Sequence, residues 1–240
     1  MPLQTVEPQR LYRQIAEQLR QLIASGEFAV GARLPAEREL ASQLGVSRPS
    51  VREALIALEV EGVIEVRTGS GIYVKAWPGP APAVSGNGPT EWGPLEVMRA
   101  RLLVEPEVAA LAAEHASAAQ LQAMRAGLRQ MKQAARAGQM PREGDEAFHE
   151  AIVQACGNGV LQDTVVRYLQ ARSGPLFERL GEYFESPESW QAAIAEHEQV
   201  LEAIAARSPA AARKAMQHHL RQAHKRYSVS WRRAPANAGG

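Results

Sequence analysis

The chain has 240 residues, is 45% hydrophobic and 22% charged, and carries a net charge of +1. That length allows one large domain or two small ones, and no apolar run is long enough to span a bilayer. The balanced charge excludes any argument for nucleic-acid binding from bulk electrostatics, because residues 1–75 hold nine Lys/Arg against nine Asp/Glu.

Met1 to Tyr12 shows no basic stretch followed by an apolar one, so no secretory signal is read and the cytoplasm is the expected location. Gln9 to Ala24 then places Leu11, Ile15, Leu19, Leu22 and Ile23 at helical spacing, and Ser25-Gly26 stops the helix. Pro35 opens a short second helix with Leu40 and Leu44 on one face and Gly45 at its end. Ser47 is a good N-cap for a third helix, Pro49 is tolerable in its first turn, and Val51, Leu55 and Leu58 form its apolar stripe. Gly62 ends that helix. Val63 to Arg67 and Ile72 to Lys75 are β-rich runs around Thr68-Gly69-Ser70-Gly71, which predicts a hairpin.

Residues 77–94 hold five prolines and four glycines and read as a linker, unsuited to helix or central strand. Beyond it no strand is expected. Ala, Leu, Glu, Gln and Arg dominate, with breaks near Ser117, Gly138-Pro141, Gly157-Gly159, Ser186-Pro187 and Ser208-Pro209. About six helices follow, and an antiparallel bundle would bury their stripes. The sole cysteine, Cys156, lies among Ala and Val and reads as a small core residue. The expected organisation is a mainly α protein: a winged helix-turn-helix over 1–76, the linker, an all-helical domain over 95–232, and a disordered tail over 233–240.

Leu44-Gly45-Val46 separates two amphipathic helices, as in a helix-turn-helix. Arg48 and Arg52 sit one turn apart at the start of the third helix, where a recognition helix meets base edges and arginine pairs bidentately with guanine. A solvated helix edge is the competing reading for these arginines alone. Ser47 and Ser50 add hydroxyls suited to phosphate, and a glycine-bearing hairpin follows as a wing would. Arg38 suits a phosphate contact or a surface pair with Glu37 or Glu39. The stretch LPAERELASQLGVSRPSVREALIALEVEGVIEVRTGSGIYV resembles the winged helix-turn-helix of the GntR superfamily. That resemblance implies DNA contacts at Arg38, Ser47, Arg48, Ser50, Arg52 and Gly69, with Pro49 standing where many relatives carry a hydroxyl residue. One short recognition helix reads few base pairs, so a homodimer on a palindromic operator is expected.

All six histidines lie beyond residue 100. Asp145 and His149 share a helix face at i, i+4, His197 falls on a later helix, and His218-His219 on the last. An Asp and three imidazoles converging in a bundle would suit a divalent ion of the Zn, Ni or Mn class. For each histidine alone a hydrogen-bonded or surface role is the favoured reading, and spacing leaves open which of His218 and His219 faces inward. Asp145-Glu-Ala-Phe-His149, Glu196-His197 and Ala215-Met-Gln-His-His219 resemble the ligand motifs of the FCD effector domain of FadR-type regulators. The resemblance selects His219, gives the open metal positions to an effector carboxylate, and assigns Arg101 and Asn158 to effector binding. For Asn158 a helix-cap or turn role fits equally. Within the family, GPLEVMRARLLVEPEVAALAA and GDEAFHEAIVQACGN resemble repressors of hexuronate catabolism, which implies a small carboxylate or sugar-acid effector.

The competing functions are a metal-dependent enzyme acting on a small carboxylate and a metal-free regulator binding acyl-CoA. The first lacks a dedicated general base or a nucleophile–base pair. The second does not explain the Asp145, His149, His197 and His219 set. A regulator fused to an aminotransferase-like domain is excluded by the length beyond the linker.

Overall fold

The computed structural model describes residues 10–67, 70–75, 92–172, 177, 181 and 184–229. Most of the expected linker, the expected tail and Gly69 lie outside the described residues. The chain divides into two compact units near the start of its fourth helix, between Leu95 and Glu96.

In the first unit, α1 (Leu11–Ala24) buries Tyr12, Ile15, Ala16, Leu19 and Ile23, an i, i+3, i+4, i+7 stripe. Leu11, expected on that stripe, is half exposed because Tyr12 takes the inward position beside it. α2 (Glu37–Leu44) ends where Gly45 turns left-handed at φ 64°, a conformation glycine adopts without steric cost. α3 (Arg48–Val60) starts at Ser47, whose Oγ accepts from Ser50 N at 3.3 Å. Strands β1 (Arg33–Leu34), β2 (Ile64–Arg67) and β3 (Gly71–Val74) form an antiparallel sheet in the order β1-β3-β2. The expected hairpin is β2–β3, in register from Ile64 opposite Val74 to Arg67 opposite Gly71. β1 was not expected; it pairs Arg33 with Tyr73 and Leu34 with Ile72. Glu59 Oε1 accepts from Val66 N at 2.9 Å and so fastens the hairpin to α3.

The second unit contains α4 (Pro94–His115), α5 (Ala118–Arg136), α6 (Arg142–Gln154), α7 (Gly159–Ala171), α8 (Pro187–Ala205) and α9 (Pro209–Val229) among the described residues. The first turn of α4 overlaps the boundary with the first unit. Small side chains on α4, Ala109, Ala112 and Ala113, let it sit deep in a core completed by Met124, Phe148, Val165, Val200 and Met216. Ser117 and Gln120 form a reciprocal cap on α5, and Ser186 and Ser189 do the same on α8. α5 and α6 meet at a glycine pair. A Cβ on Gly144 would lie 2.5 Å from Met131 N, and one on Gly127 would lie 2.8 Å from Phe148 N. This close approach sets the height of α6, which carries Asp145 and His149.

Candidate functional site

Two groups of residues carry chemistry, one in each unit. In the first, Arg48 and Arg52 do stand at the start of α3. Both reach the same carboxylate. Arg48 Nε donates to Glu37 Oε1 at 3.0 Å, and Arg52 donates through Nε to Oε2 at 2.8 Å and through Nη2 to Oε1 at 2.9 Å. The Arg48 side chain is 60% exposed while Glu37 is nearly buried. Ser47 and Ser50 are spent on the helix cap and on each other, their Oγ atoms 2.9 Å apart. Arg38 is exposed on α2. At the end of the β2–β3 ladder nearest the turn, the Arg67 guanidinium lies 4.6 Å from the centre of the Tyr73 ring.

In the second unit, Asp145 and His149 from α6, His197 from α8 and His219 from α9 bring one donor atom each to within 4.8 Å of one another. All three histidines are buried, whereas His218 is exposed. The ring centres of His197 and His219 are 4.2 Å apart, and those of His149 and His197 5.3 Å.

The hydrogen bonds around these rings decide which nitrogen is turned inward. His197 Nδ1 donates to the Ala193 carbonyl at 2.6 Å, His149 Nδ1 faces Glu105 Oε2 at 2.8 Å, and His219 Nδ1 faces Glu196 Oε2 at 2.9 Å. A carbonyl or a carboxylate only accepts, so each Nδ1 carries the proton and each Nε2 keeps a lone pair. His197 Nε2 is buried 3.1 Å from Asp145 Oδ1 yet makes no hydrogen bond. A lone pair facing an ionised carboxylate oxygen at that distance is repulsive unless a cation lies between them. The donor set and this orphaned nitrogen fit a divalent metal, with the outer partners that metal-ligating histidines require.

The electrostatics agree. Burial, reinforced by nearby His197, pushes His219 down to about 3, and burial also lowers His149. Burial pushes the Asp145 carboxyl up, but the Arg172 guanidinium beside it holds it well below the carboxylate range. Neutral imidazoles beside an ionised carboxylate are the protonation states a metal needs.

Beside the cluster lies a small cleft, partly open to solvent, lined by Arg101, Arg142, Asp145, Arg172, Trp190, His219 and Arg226 among others. Arg101 lines it at 2% exposure, but the Nε/Nη2 edge of its guanidinium is taken by Glu105, at 2.5 and 3.2 Å. Its Nη1 lies 3.8 Å from Met98 Sδ, another lining residue. Asn158 does not line the cleft; its Oδ1 accepts from Val160 N and Leu161 N and caps α7. Cys156 is buried, as a small core residue would be.

Sequence reasoning missed Glu105, Glu196, Arg172 and Arg226 as parts of this site. Arg172 Nη1 donates to Asp145 Oδ2 at 2.6 Å, and Arg226 binds both oxygens of Glu196 at 2.8 and 2.9 Å. A weak signal existed for Glu105, which stands at i+4 from Arg101 on one helix. Another existed for Glu196, which stands beside His197 in the quoted motif, but none for Arg172 and Arg226, whose partners lie far off in sequence.

With this geometry in place, comparison with known proteins is informative. Residues 11–74 match the bacterial regulatory proteins of the gntR family, and residues 96–222 match the FCD domain. The chain is 37% identical over 225 residues to the Exu regulon transcriptional regulator of Escherichia coli K12, covering 91% of this chain and 84% of the relative. It is 35% identical over 224 residues to the Uxu operon transcriptional regulator of the same strain, covering 91% and 87%. Among solved structures, E. coli McbR/YncC is similar in fold, with a TM-score of 0.51 and 24% identity over 93% of this chain and 100% of that one.

Proposed function

Because the chain belongs to the gntR family of bacterial regulatory proteins and carries an FCD domain, we propose that it is a repressor whose grip on operator DNA is released by a small carboxylate effector. The family and these relatives are transcriptional regulators, not enzymes. A homodimer would present two α3 helices to the half-sites of a palindromic operator. Arg48 and Arg52 would face bases, with Arg38, Ser47, Ser50 and Gly69 on the backbone and at the wing tip.

The observation that carries the effector half is the set of three Nδ1 bonds, which leaves the Nε2 lone pairs of three histidines clustered with Asp145 available to a cation. Asp145, His149, His197 and His219 would hold a divalent ion of the Zn, Ni or Mn class, whose open positions take a carboxylate. Arg101 stands at the same cleft to meet the effector's anionic group, through a part of its guanidinium that Glu105 does not use. The likeness to regulators of the Exu and Uxu systems, with the sequence resemblance to hexuronate repressors, supports a sugar acid of the hexuronate type.

A ligand shifts DNA binding only by preferring one state of the dimer, so operator must weaken effector binding by the factor with which effector weakens operator binding. Calorimetric titration of glucuronate and galacturonate into metal-loaded protein, with and without operator, tests this. The expected result is weaker binding in the presence of operator, and weaker binding still to Arg101→Ala. Equal affinity in both states for every sugar acid tried would overturn it.

A further inference from the structure

Glu37 opens α2, is 8% exposed, and receives three N–H donors from two arginines of the neighbouring helix. On the reading that α3 faces DNA, we propose that Glu37 is a positioning residue for operator recognition: it holds Arg48 and Arg52 so that their terminal guanidinium edges meet guanines in a fixed register.

The geometry of the forks carries this. A guanidinium has a side edge, Nε with Nη2, and a terminal edge, Nη1 with Nη2. Arg52 gives Glu37 its side edge at 2.8 and 2.9 Å, and Arg48 gives only Nε at 3.0 Å. Both arrangements turn the terminal edge away from Glu37, and that edge is a planar fork able to grip guanine O6 and N7 together. The contact with the carboxylate is therefore compatible with base reading rather than a substitute for it.

A long arginine that binds a base must first be ordered, which costs free energy at the moment of binding. Here one nearly buried carboxylate orders two such side chains beforehand, and it is anchored on α2, which packs on α3 and buries Leu40 and Ala41. A negative charge beside a phosphate backbone also opposes non-specific binding. Glu37 thus favours the right sequence over DNA in general, which is a device for specificity rather than for raw affinity.

The test uses the full chain. A winning duplex is selected from a randomised pool with the parent protein, and anisotropy titrations compare it with a scrambled duplex. Glu37→Gln is expected to weaken binding to the winning duplex on the order of tenfold, the scale of coupling between contacting residues, while scrambled DNA binds as before or more tightly. In an Arg48→Ala/Arg52→Ala background, Glu37→Gln should leave the ratio of the two affinities unchanged. Glu37→Asp keeps the charge but withdraws it by one methylene; it should show a smaller loss of the same sign, and it serves should Glu37→Gln not fold. A folded Glu37→Gln that keeps or raises the parent's ratio, or that loses affinity equally for both duplexes, overturns the proposal. If the arginine substitutions themselves keep the parent's ratio, the reading of α3 as the recognition helix fails first.

Discussion

Replacing Glu196 by Gln preserves size and removes one charge, and its expected effect falls on metal affinity. Glu196 Oε2 accepts from His219 Nδ1 at 2.9 Å, while Arg226 binds both carboxylate oxygens. An amide has a single acceptor oxygen. If Arg226 takes it, the NH₂ group faces His219 Nδ1–H, donor against donor, and the ring must change tautomer or turn. Either response removes the Nε2 lone pair from the cluster. Loss of such an outer partner costs about 10–100-fold in metal affinity, or about 1.4–2.8 kcal/mol. His219→Ala removes a ligand outright and should cost more. Competition of metal-free protein against a chromogenic chelator for Zn²⁺ measures both variants, with thermal midpoints as the check on folding. An unchanged dissociation constant in Glu196→Gln, beside a clear loss in His219→Ala, would refute the role given to Glu196. Unchanged constants in both would refute the metal site itself.

His218→Ala should retain one metal equivalent by elemental analysis while His219→Ala loses it, because only His219 is turned into the cluster. Gly144→Ala should destabilise the protein by about 1–3 kcal/mol, since its Cβ would lie 2.5 Å from a backbone nitrogen of α5; a thermal midpoint equal to the parent's would contradict the close packing. Metal-free protein should lose stability on acidification. His219 is held at about 3 by burial against an ordinary value of 6.5, so between those values the unfolded chain binds a proton that the folded chain excludes. Glu196, held at about 2 by His219 and Arg226 against the upward push of burial, adds a loss of the same sign below about 4.5. Thermal melts across that range check the direction, and a midpoint that rises as pH falls would show the sign to be wrong.

Much of the helical framework was legible because its signals are local. Ser47 bonds a backbone group three residues on, and Gly45 relieves strain at its own φ, so both act within the stretch of sequence that displays them. β1 was not legible for the opposite reason. Two residues carry no alternation, and the partner that makes Arg33-Leu34 a strand lies at Ile72-Tyr73. The same division runs through the site. Asp145 and His149 declare themselves by i, i+4 spacing, and Glu105 and Glu196 only by their neighbours Arg101 and His197, whereas Arg172 and Arg226 look in sequence like ordinary solvated charges. They become parts of the site only when distant helices pack.

The Arg101–Glu105 pair shows why those hidden partners matter. Both side chains are 2% exposed, and taking two charges out of water is offset only by close geometry and full hydrogen bonding. Two apolar residues of similar volume would fill that part of α4 at least as well. The pair makes sense through what lies beside it. Glu105 must stay ionised to accept from His149 Nδ1, and although burial pushes its carboxyl up, the Arg101 charge carries it well below the carboxylate range. Arg101 is therefore bound on one edge to keep Glu105 ionised, and through Glu105 it fixes which nitrogen of His149 turns toward Asp145. Its position beside the cleft follows from that same placement, so the residue that would greet an effector's carboxylate also helps set the tautomer of His149, one of the residues that would hold the metal. A change at Arg101 should for this reason weaken metal and effector together, while a change at Asn158, whose side chain caps α7, should weaken neither directly.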